Sequence, residues 1–167
     1  MAEGFLERWI DAFRGPLIGL LASWGSDWRA AEELAQDVFA EAWMSRERFR
    51  GDPDDLEAAG AWLRGIAVRL NHAEWRRSAR RPEPLADVPV PETEPDPRRD
   101  QLVRAFARLS HPHQTVLRMY YLEETGAPEV AALLGITPKA VEDRLYQARR
   151  ALRERLGAAP RPEGVRP

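Results

Sequence analysis

The sequence predicts an all-α protein of two small helical domains joined by a proline-rich acidic linker, with a helix-turn-helix in the second. Three observations carry this. Apolar residues recur every three or four positions through most of the 167 residues, and no stretch alternates apolar with polar as a strand would. Six prolines (Pro82, Pro84, Pro89, Pro91, Pro95 and Pro97) are mixed with Glu and Asp over 82–97. Proline has no amide to donate and biases its predecessor away from helix, so this stretch is an extended linker. All six Trp lie before residue 76, so the flanking pieces differ in composition. The expected units are 1–81, the linker 82–97, 98–157, and a Pro/Gly-rich frayed tail over 158–167.

The first helix is expected over Phe5–Trp24, with Gly15-Pro16 as a point of bending. Gly25-Ser26-Asp27 then turns the chain, and Asp27 is an N-cap for a helix over Trp28–Arg48. Its apolar face is Ala31, Leu34, Ala35, Val38, Phe39 and Ala42. Phe49–Glu57 reads as a loop, followed by a helix over Ala58–Arg80 that turns Trp62, Leu63, Ile66, Leu70 and Ala73 inward. Beyond the linker come helices over Arg98–Leu109, from Ser110-His111-Pro112 to Leu122, and over Pro128–Leu134. Thr137-Pro138 starts the last helix, a hydroxyl cap followed by proline at the first helical position. Val141, Leu145, Ala148, Leu152 and Leu156 form its inner stripe.

With 44% hydrophobic residues the chain has material for a core, and its net charge is only −2. That small number hides segregation: −7 over residues 1–60, +5 over 61–81, −4 over 82–100 and +4 over 101–167. Such a chain can offer an acidic face to one partner and basic faces to a polyanion. The absence of Cys excludes disulfides, thiolate–zinc sites and iron–sulfur clusters. Pro16–Trp24, the longest clean apolar run, is far short of the ~20 residues needed to span a bilayer, so no membrane insertion is expected. The acidic start Met1-Ala2-Glu3-Gly4 lacks the basic segment of a secretory signal, and a cytoplasmic protein is expected. His111 and His113 flank Pro112 without a third ligand, and no nucleophile–base pair or carboxylate pair stands out. No enzyme activity, metal or cofactor is expected.

Three features carry chemistry. The strongest is Glu129-Val130-Ala131-Ala132-Leu133-Leu134-Gly135-Ile136-Thr137 followed by Val141, a helix-turn-helix pattern. The small alanines allow close helix packing, and Gly135 permits a left-handed turn. The second helix can then enter a major groove, presenting Lys139, Asp143, Tyr146, Gln147 and Arg150. Gln pairs bidentately with adenine, Arg and Lys reach guanine or phosphate, and Asp accepts from cytosine. A plain helical hairpin with a solvated face is the alternative.

The second feature is the basic end of the third helix. Arg69, His72, Arg76 and Arg80 share one stripe, with Arg77 and Arg81 beside it and Trp75 turned away from the apolar face. Cations beside an exposed aromatic suit single-stranded DNA, whose phosphates they track while the ring stacks on a base. A solvated helix end fits the same residues equally well. The third feature is acidic: Glu33, Asp37 and Glu41 repeat every four residues, beside Gln36. Like charges at that spacing cost about 0.2–0.5 kcal/mol per pair, which a basic partner would relieve. For an acidic stripe taken alone, plain solvated surface is the alternative and the commoner case.

The order acidic helix, basic helix, linker, helix-turn-helix resembles bacterial RNA polymerase sigma factors of the two-domain extracytoplasmic-function (ECF) type, over about residues 9–156. Ala31–Phe39 with Ala42-Trp43 looks like the family's polymerase-binding segment. Phe49-Arg50-Gly51 with Ala61–Ala67 looks like its promoter-melting segment. Leu109–Leu122 with Glu129–Leu152, including Ala148-Arg149-Arg150-Ala151-Leu152, looks like its upstream-element reader. The resemblance implies a non-catalytic subunit that binds RNA polymerase core, directs it to specific promoters and helps melt them. Glu33, Gln36, Asp37 and Glu41 would then meet the β′ clamp helices, and the β flap would be a second core contact. Phe49, Arg50, Arg69, His72, Trp75, Arg76, Arg77 and Arg80 would read the minus-ten element, where bases flip as the duplex opens. Thr137, Lys139, Asp143, Arg144, Tyr146, Gln147, Arg149 and Arg150 would read the minus-thirty-five element. The acidic linker would lie in a channel near the RNA exit path. An anti-sigma protein would restrain the factor by covering its polymerase-binding surfaces, and the free protein would be a monomer.

The chain departs from the family pattern at four places. Arg69 and Ala73 stand where many members carry Asn and Asp, and Glu142-Asp143 and Gln147 stand where many carry a basic residue, Ser and Arg. Two other functions fit parts of the sequence. One is a helix-turn-helix regulator without polymerase contact, which would dimerise on a palindrome. The other is a sigma-like decoy that binds protein partners only.

Overall fold

The structure, a computed structural model, describes residues 4–78, 96–121 and 126–157. It is helical, with no strand among the described residues. The helices are α1 (Phe5–Ser23), α2 (Trp28–Met44), α3 (Leu56–Ser78), α4 (Pro97–Ala107), α5 (His111–Tyr121), α6 (Ala127–Leu134) and α7 (Pro138–Gly157), with a 3-10 turn over Arg46–Arg48 after α2. None of them is long and apolar enough to cross a membrane.

Local chemistry sets the boundaries. The Asp27 carboxylate accepts from the Ala30 N–H at 2.8 Å and starts α2. The Thr137 hydroxyl accepts from the Ala140 N–H at 3.2 Å and starts α7, with Pro138 as its first residue. Gly135 ends α6 with φ 67°, a left-handed conformation that costs other residues a steric clash. The linker expected over 82–97 gives up its last residue to a helix. Pro97 is the first residue of α4, and Asp96 caps it through the Arg98 N–H at 2.9 Å. Proline tolerates this position because the missing N–H would be unpaired there anyway. The rest of that linker, the tail 158–167 and Leu122 lie outside the described residues. Pro16 lies inside α1 without ending it. Gly15 and Pro16 are buried, so tertiary packing outweighs the one backbone hydrogen bond lost.

α1, α2 and α3 pack on one another, and α5, α6 and α7 form a second group with α4 laid against α7. The inner face of α2 is Ala31, Leu34, Ala35, Val38, Phe39 and Ala42, the six expected from periodicity. On α3 the buried set is Ala59, Gly60, Leu63, Ile66 and Ala67, whereas Trp62, Leu70 and Ala73 are only half-buried. The two groups do not stay apart. α1 packs along α5 and α6, and α3 packs along α6, so one continuous apolar core runs from Phe5 to Ala148.

Candidate protein and nucleic-acid interfaces

The outer face of α2 presents Glu33, Gln36, Asp37 and Ala40, with Glu41 half-buried at its edge. The acids differ in what they have left to offer. Glu33 accepts from Arg29 at 3.2 Å, and Glu41 from Arg69 at 2.9 Å. Asp37 has no ion-pair partner among the described residues and is the free anion of the stripe. Gln36 borders a groove of about 360 Å³ between α1 and α2, walled by Leu6, Ile10, Ile18, Phe39 and Trp43. Trp43 is exposed, as is Met44 next to it in the chain, and the Arg46 guanidinium lies 4.5 Å from the Trp43 ring centre. Periodicity alone did not indicate this groove. Its signal is the width of the apolar arc on α1, where Leu6 and Ile10 flank the buried Phe5, Trp9 and Phe13.

On the α3 side, Phe49 is half-buried. Its ring centre lies 5.1 Å from that of Trp62 and 5.2 Å from that of Trp9, so it braces the loop as well as walling the cleft it faces. That cleft is shared with Arg46, Glu47, Gly51 and Pro53. Arg50 is exposed beside it. The loop's acids have local work. Asp52 accepts from the Asp54 N–H at 2.9 Å, Asp54 pairs with Arg8 at 2.6 Å, and Asp55 accepts from the Glu57 and Ala58 N–H groups at 2.9 and 3.2 Å to cap α3. A second cleft of about 270 Å³ opens between α2 and α3, lined by Glu41, Ser45, Arg48, Trp62, Ile66 and Arg69. Arg69 therefore faces a cleft while tethered to Glu41. Arg48 and Trp62 were not among the expected site residues. The alternation Arg46-x-Arg48-x-Arg50 is the signal that could have marked the first.

Farther along α3, His72, Trp75, Arg76 and Arg77 are all exposed, and Trp75 shows 72% of its surface. Arg77 is paired with Glu74 at 2.8 Å, and Arg76 has no ion-pair partner among the described residues. Arg80 lies outside them.

In the second group, Lys139, Glu142, Asp143, Tyr146, Gln147 and Arg150 form one exposed face of α7, opposite the buried Val141, Leu145 and Ala148. Thr137 is exposed at the head of the helix, and Arg144 and Arg149 are half-buried on its flanks. Three of the cations here are paired. Lys139 Nζ donates to Asp143 at 2.8 Å, and Arg150 to Glu154 at 3.0 Å. Arg149 Nε donates to the Tyr121 hydroxyl at 2.7 Å, with its guanidinium over the Tyr120 and Tyr121 rings. The hydrogen bond to Asp143, then the charge of that carboxylate, hold the Lys139 ammonium above the ordinary lysine pKa. Tyr121 was not an expected site residue, and its pairing with Arg149, 28 positions away, leaves no local trace in the sequence.

Among the described residues no group of His, Asp and Glu could hold a metal ion. The arrangement offers binding surfaces: an acidic face beside an apolar groove, a basic aromatic helix end, and the exposed polar face of the second helix of a helix-turn-helix.

Comparison with known proteins agrees with that partition. Residues 9–81 match the family described as Sigma-70 region 2, and residues 99–152 match Sigma-70, region 4. The chain is 28% identical over 163 residues to the probable RNA polymerase sigma factor RfaY of Xanthomonas campestris pv. campestris, covering 89% of this chain and 40% of that protein. It thus spans well under half the length of that relative. Among solved structures, the fold is similar to the sigma factor RpoE of Bartonella quintana, determined in complex with the anti-sigma factor NepR (TM-score 0.51, 21% identity, 95% of this chain and 100% of that one). It is also similar to CnrH in complex with the cytosolic domain of CnrY (TM-score 0.54, 24% identity, 93% and 89%). With region 2 and region 4 following one another in a single chain, the protein belongs to the sigma-70 family.

Proposed function

We propose that this protein is an alternative sigma subunit that binds RNA polymerase core, brings it to specific promoters and helps melt them. One observation carries this: a single chain holds region 2 and region 4 in order, and each places a different exposed surface. Gln36 and Asp37, with Glu33 and Glu41 beside them, meet the β′ clamp helices, and the groove walled by Leu6, Ile10 and Trp43 takes apolar side chains of that partner. Region 4 meets the β flap. Phe49, Arg50, Arg69, His72, Trp75, Arg76, Arg77 and Arg80 serve the minus-ten element. There the arginines hold phosphates, and an exposed ring stacks on a base freed by melting, offsetting the few kcal/mol of unstacking. Thr137, Lys139, Asp143, Arg144, Tyr146, Gln147, Arg149 and Arg150 serve the minus-thirty-five element through the major groove. The units 1–81, 82–97, 98–157 and 158–167 act as clamp and minus-ten domain, linker, upstream reader and tail. The subunit is non-catalytic and cytoplasmic, and lowers the barrier to opening by binding. An anti-sigma protein, of the kind seen with RpoE, competes for the α1/α2 groove.

The test is fluorescence anisotropy of the labelled chain titrated with RNA polymerase core, with Asp37→Arg as the control. Saturable binding that the variant loses supports the sigma role. Absence of core binding in a protein that still binds duplex DNA overturns it in favour of a helix-turn-helix regulator.

A further inference from the structure

We propose that Glu142, on the outer face of α7, is a specificity residue that reads cytosine in the upstream element by accepting a hydrogen bond from its N4 amino group. The inference deepens the sigma role above and rests on it for the identity of the element read.

Glu142 differs from the charges around it. Lys139 donates to Asp143 at 2.8 Å, Arg150 to Glu154 at 3.0 Å, and Arg149 to the Tyr121 hydroxyl at 2.7 Å. Glu142 is exposed and has no hydrogen-bond or ion-pair partner among the described residues. Its neighbours one turn away explain this. Pro138 and Tyr146, four residues to either side, carry no cation, and Lys139, three residues back, is held by Asp143. The hydrogen bond to Asp143 is the main cause of the raised Lys139 pKa, and the charge of Glu142 is the smallest. Asp143 thus spends its charge within the helix, and Glu142 keeps its own.

An unmatched carboxylate has few partners in a DNA groove. The N-terminal residues of a recognition helix meet base edges, and Glu142 is in the second turn of α7, which starts at Pro138. A carboxylate can only accept, so at a phosphate it would repel and weaken binding to every sequence. Two bases donate in the major groove, cytosine through N4 and adenine through N6. Adenine N6 stands beside the N7 acceptor, which repels the second carboxylate oxygen. Cytosine has no acceptor on its own major-groove edge, so a carboxylate discriminates in its favour. Gln147 lies five residues on, about 7.5 Å along the helix. At ~3.4 Å per base pair that is about two base pairs, so the two side chains read separate positions.

The test is selection and sequencing of a random-sequence duplex pool by the holoenzyme, the full chain with RNA polymerase core. The parent is compared with Glu142→Gln, Glu142→Ala and Asp143→Asn. The parent motif should contain one position where cytosine is enriched at least about tenfold over the other bases. Glu142→Gln should move that preference to adenine, because an amide accepts from N6 while donating to N7. Glu142→Ala should leave the position degenerate. Both variants should keep the parent's helicity, since Glu142 is exposed and unpaired among the described residues. Three results overturn the assignment. One is a motif unchanged in both variants. Another is binding that tightens equally on all sequences, which places the carboxylate at a phosphate. The third is a cytosine preference that is lost with Asp143→Asn and kept with Glu142→Gln. A chain that does not bind core overturns the sigma role, and the same selection on the chain alone then decides Glu142 by the same switch. No duplex enriched in either form overturns both.

Discussion

α2 buries Ala31, Leu34, Ala35, Val38, Phe39 and Ala42 against α1 and α3, while α7 buries Val141, Leu145 and Ala148 against α5 and α6. Each is a one-sided helix started by a side-chain cap, Asp27 in one case and Thr137 in the other. Their outer faces differ. Beside α2 lies an apolar groove with Trp43 and Met44 exposed, and its free charge is one anion, Asp37. α7 exposes a row of alternating charge in which Lys139 and Arg150 are each tied to an acid four residues on, around Tyr146 and Gln147. The inner stripe decides how a helix packs, and the outer face decides what it can bind. A groove with an unpaired charge suits another helix, where a desolvated charge pair and apolar contact act together. A compensated polar row suits a hydrated DNA groove, where neutral hydrogen bonds can discriminate bases without a large phosphate attraction.

The largest effect expected from this contrast is on α2. Asp37→Arg should weaken core polymerase binding by about 100-fold, in line with charge reversal at an interface centre. Duplex binding and the unfolding midpoint should not change, because Asp37 is exposed and has no ion-pair partner among the described residues. A parallel loss of DNA binding would erase the distinction between the two faces.

On α7 the reciprocal change is Gln147→Ala. An amide that pairs bidentately with a base is worth about 1–3 kcal/mol of discrimination, so the expected loss is ~5- to 150-fold at one base pair. Transcription from a randomised upstream library should therefore change at one position and keep its core affinity. A uniform decline across the library would mean that Gln147 contacts only backbone.

The caps sharpen the comparison through stability. Asp27→Ala and Thr137→Ala should each cost about 1 kcal/mol in urea unfolding, since each removes one acceptor from a helix start. If Thr137→Ala costs stability and nothing in DNA affinity, its hydroxyl is only a cap. A further loss of affinity at full folding would make it a DNA contact as well.

Local pattern made both inner stripes, both caps and the Gly135 turn readable from the sequence, because each depends on residues within one or two helical turns. What the sequence could not disclose is carried by distant pairs. Arg69 meets Glu41 across 28 positions, and Arg149 meets Tyr121 across another 28. The groove beside Gln36 exists only once α1 and α2 lie side by side. The packing of α3 on α6 depends on Gly60, which as a glycine inside a helix reads as a weak point until Ala132 is placed against it. Phe49 is a like case: the sequence pointed to it only as an expected minus-ten residue, whereas its ring braces Trp9 and Trp62.

The smallest effect concerns charge compensation on α7. Lys139 is held above the ordinary lysine pKa mainly by its hydrogen bond to Asp143, so the ammonium is favoured in the folded protein. The stability this pairing contributes is present at neutral pH and is lost as pH rises through the raised pKa. Asp143→Asn should bring the Lys139 pKa down toward its ordinary value, read by NMR titration of the side chain. The same change removes a negative charge from the reading face and frees a cation for phosphate. Non-specific duplex binding should then tighten a few-fold at low salt, and its salt dependence should steepen by about one counterion. An unchanged salt slope with a lowered Lys139 pKa would show that the freed ammonium does not face DNA, which would turn that edge of α7 away from the duplex and leave Tyr146, Gln147 and Arg150 as the reading edge.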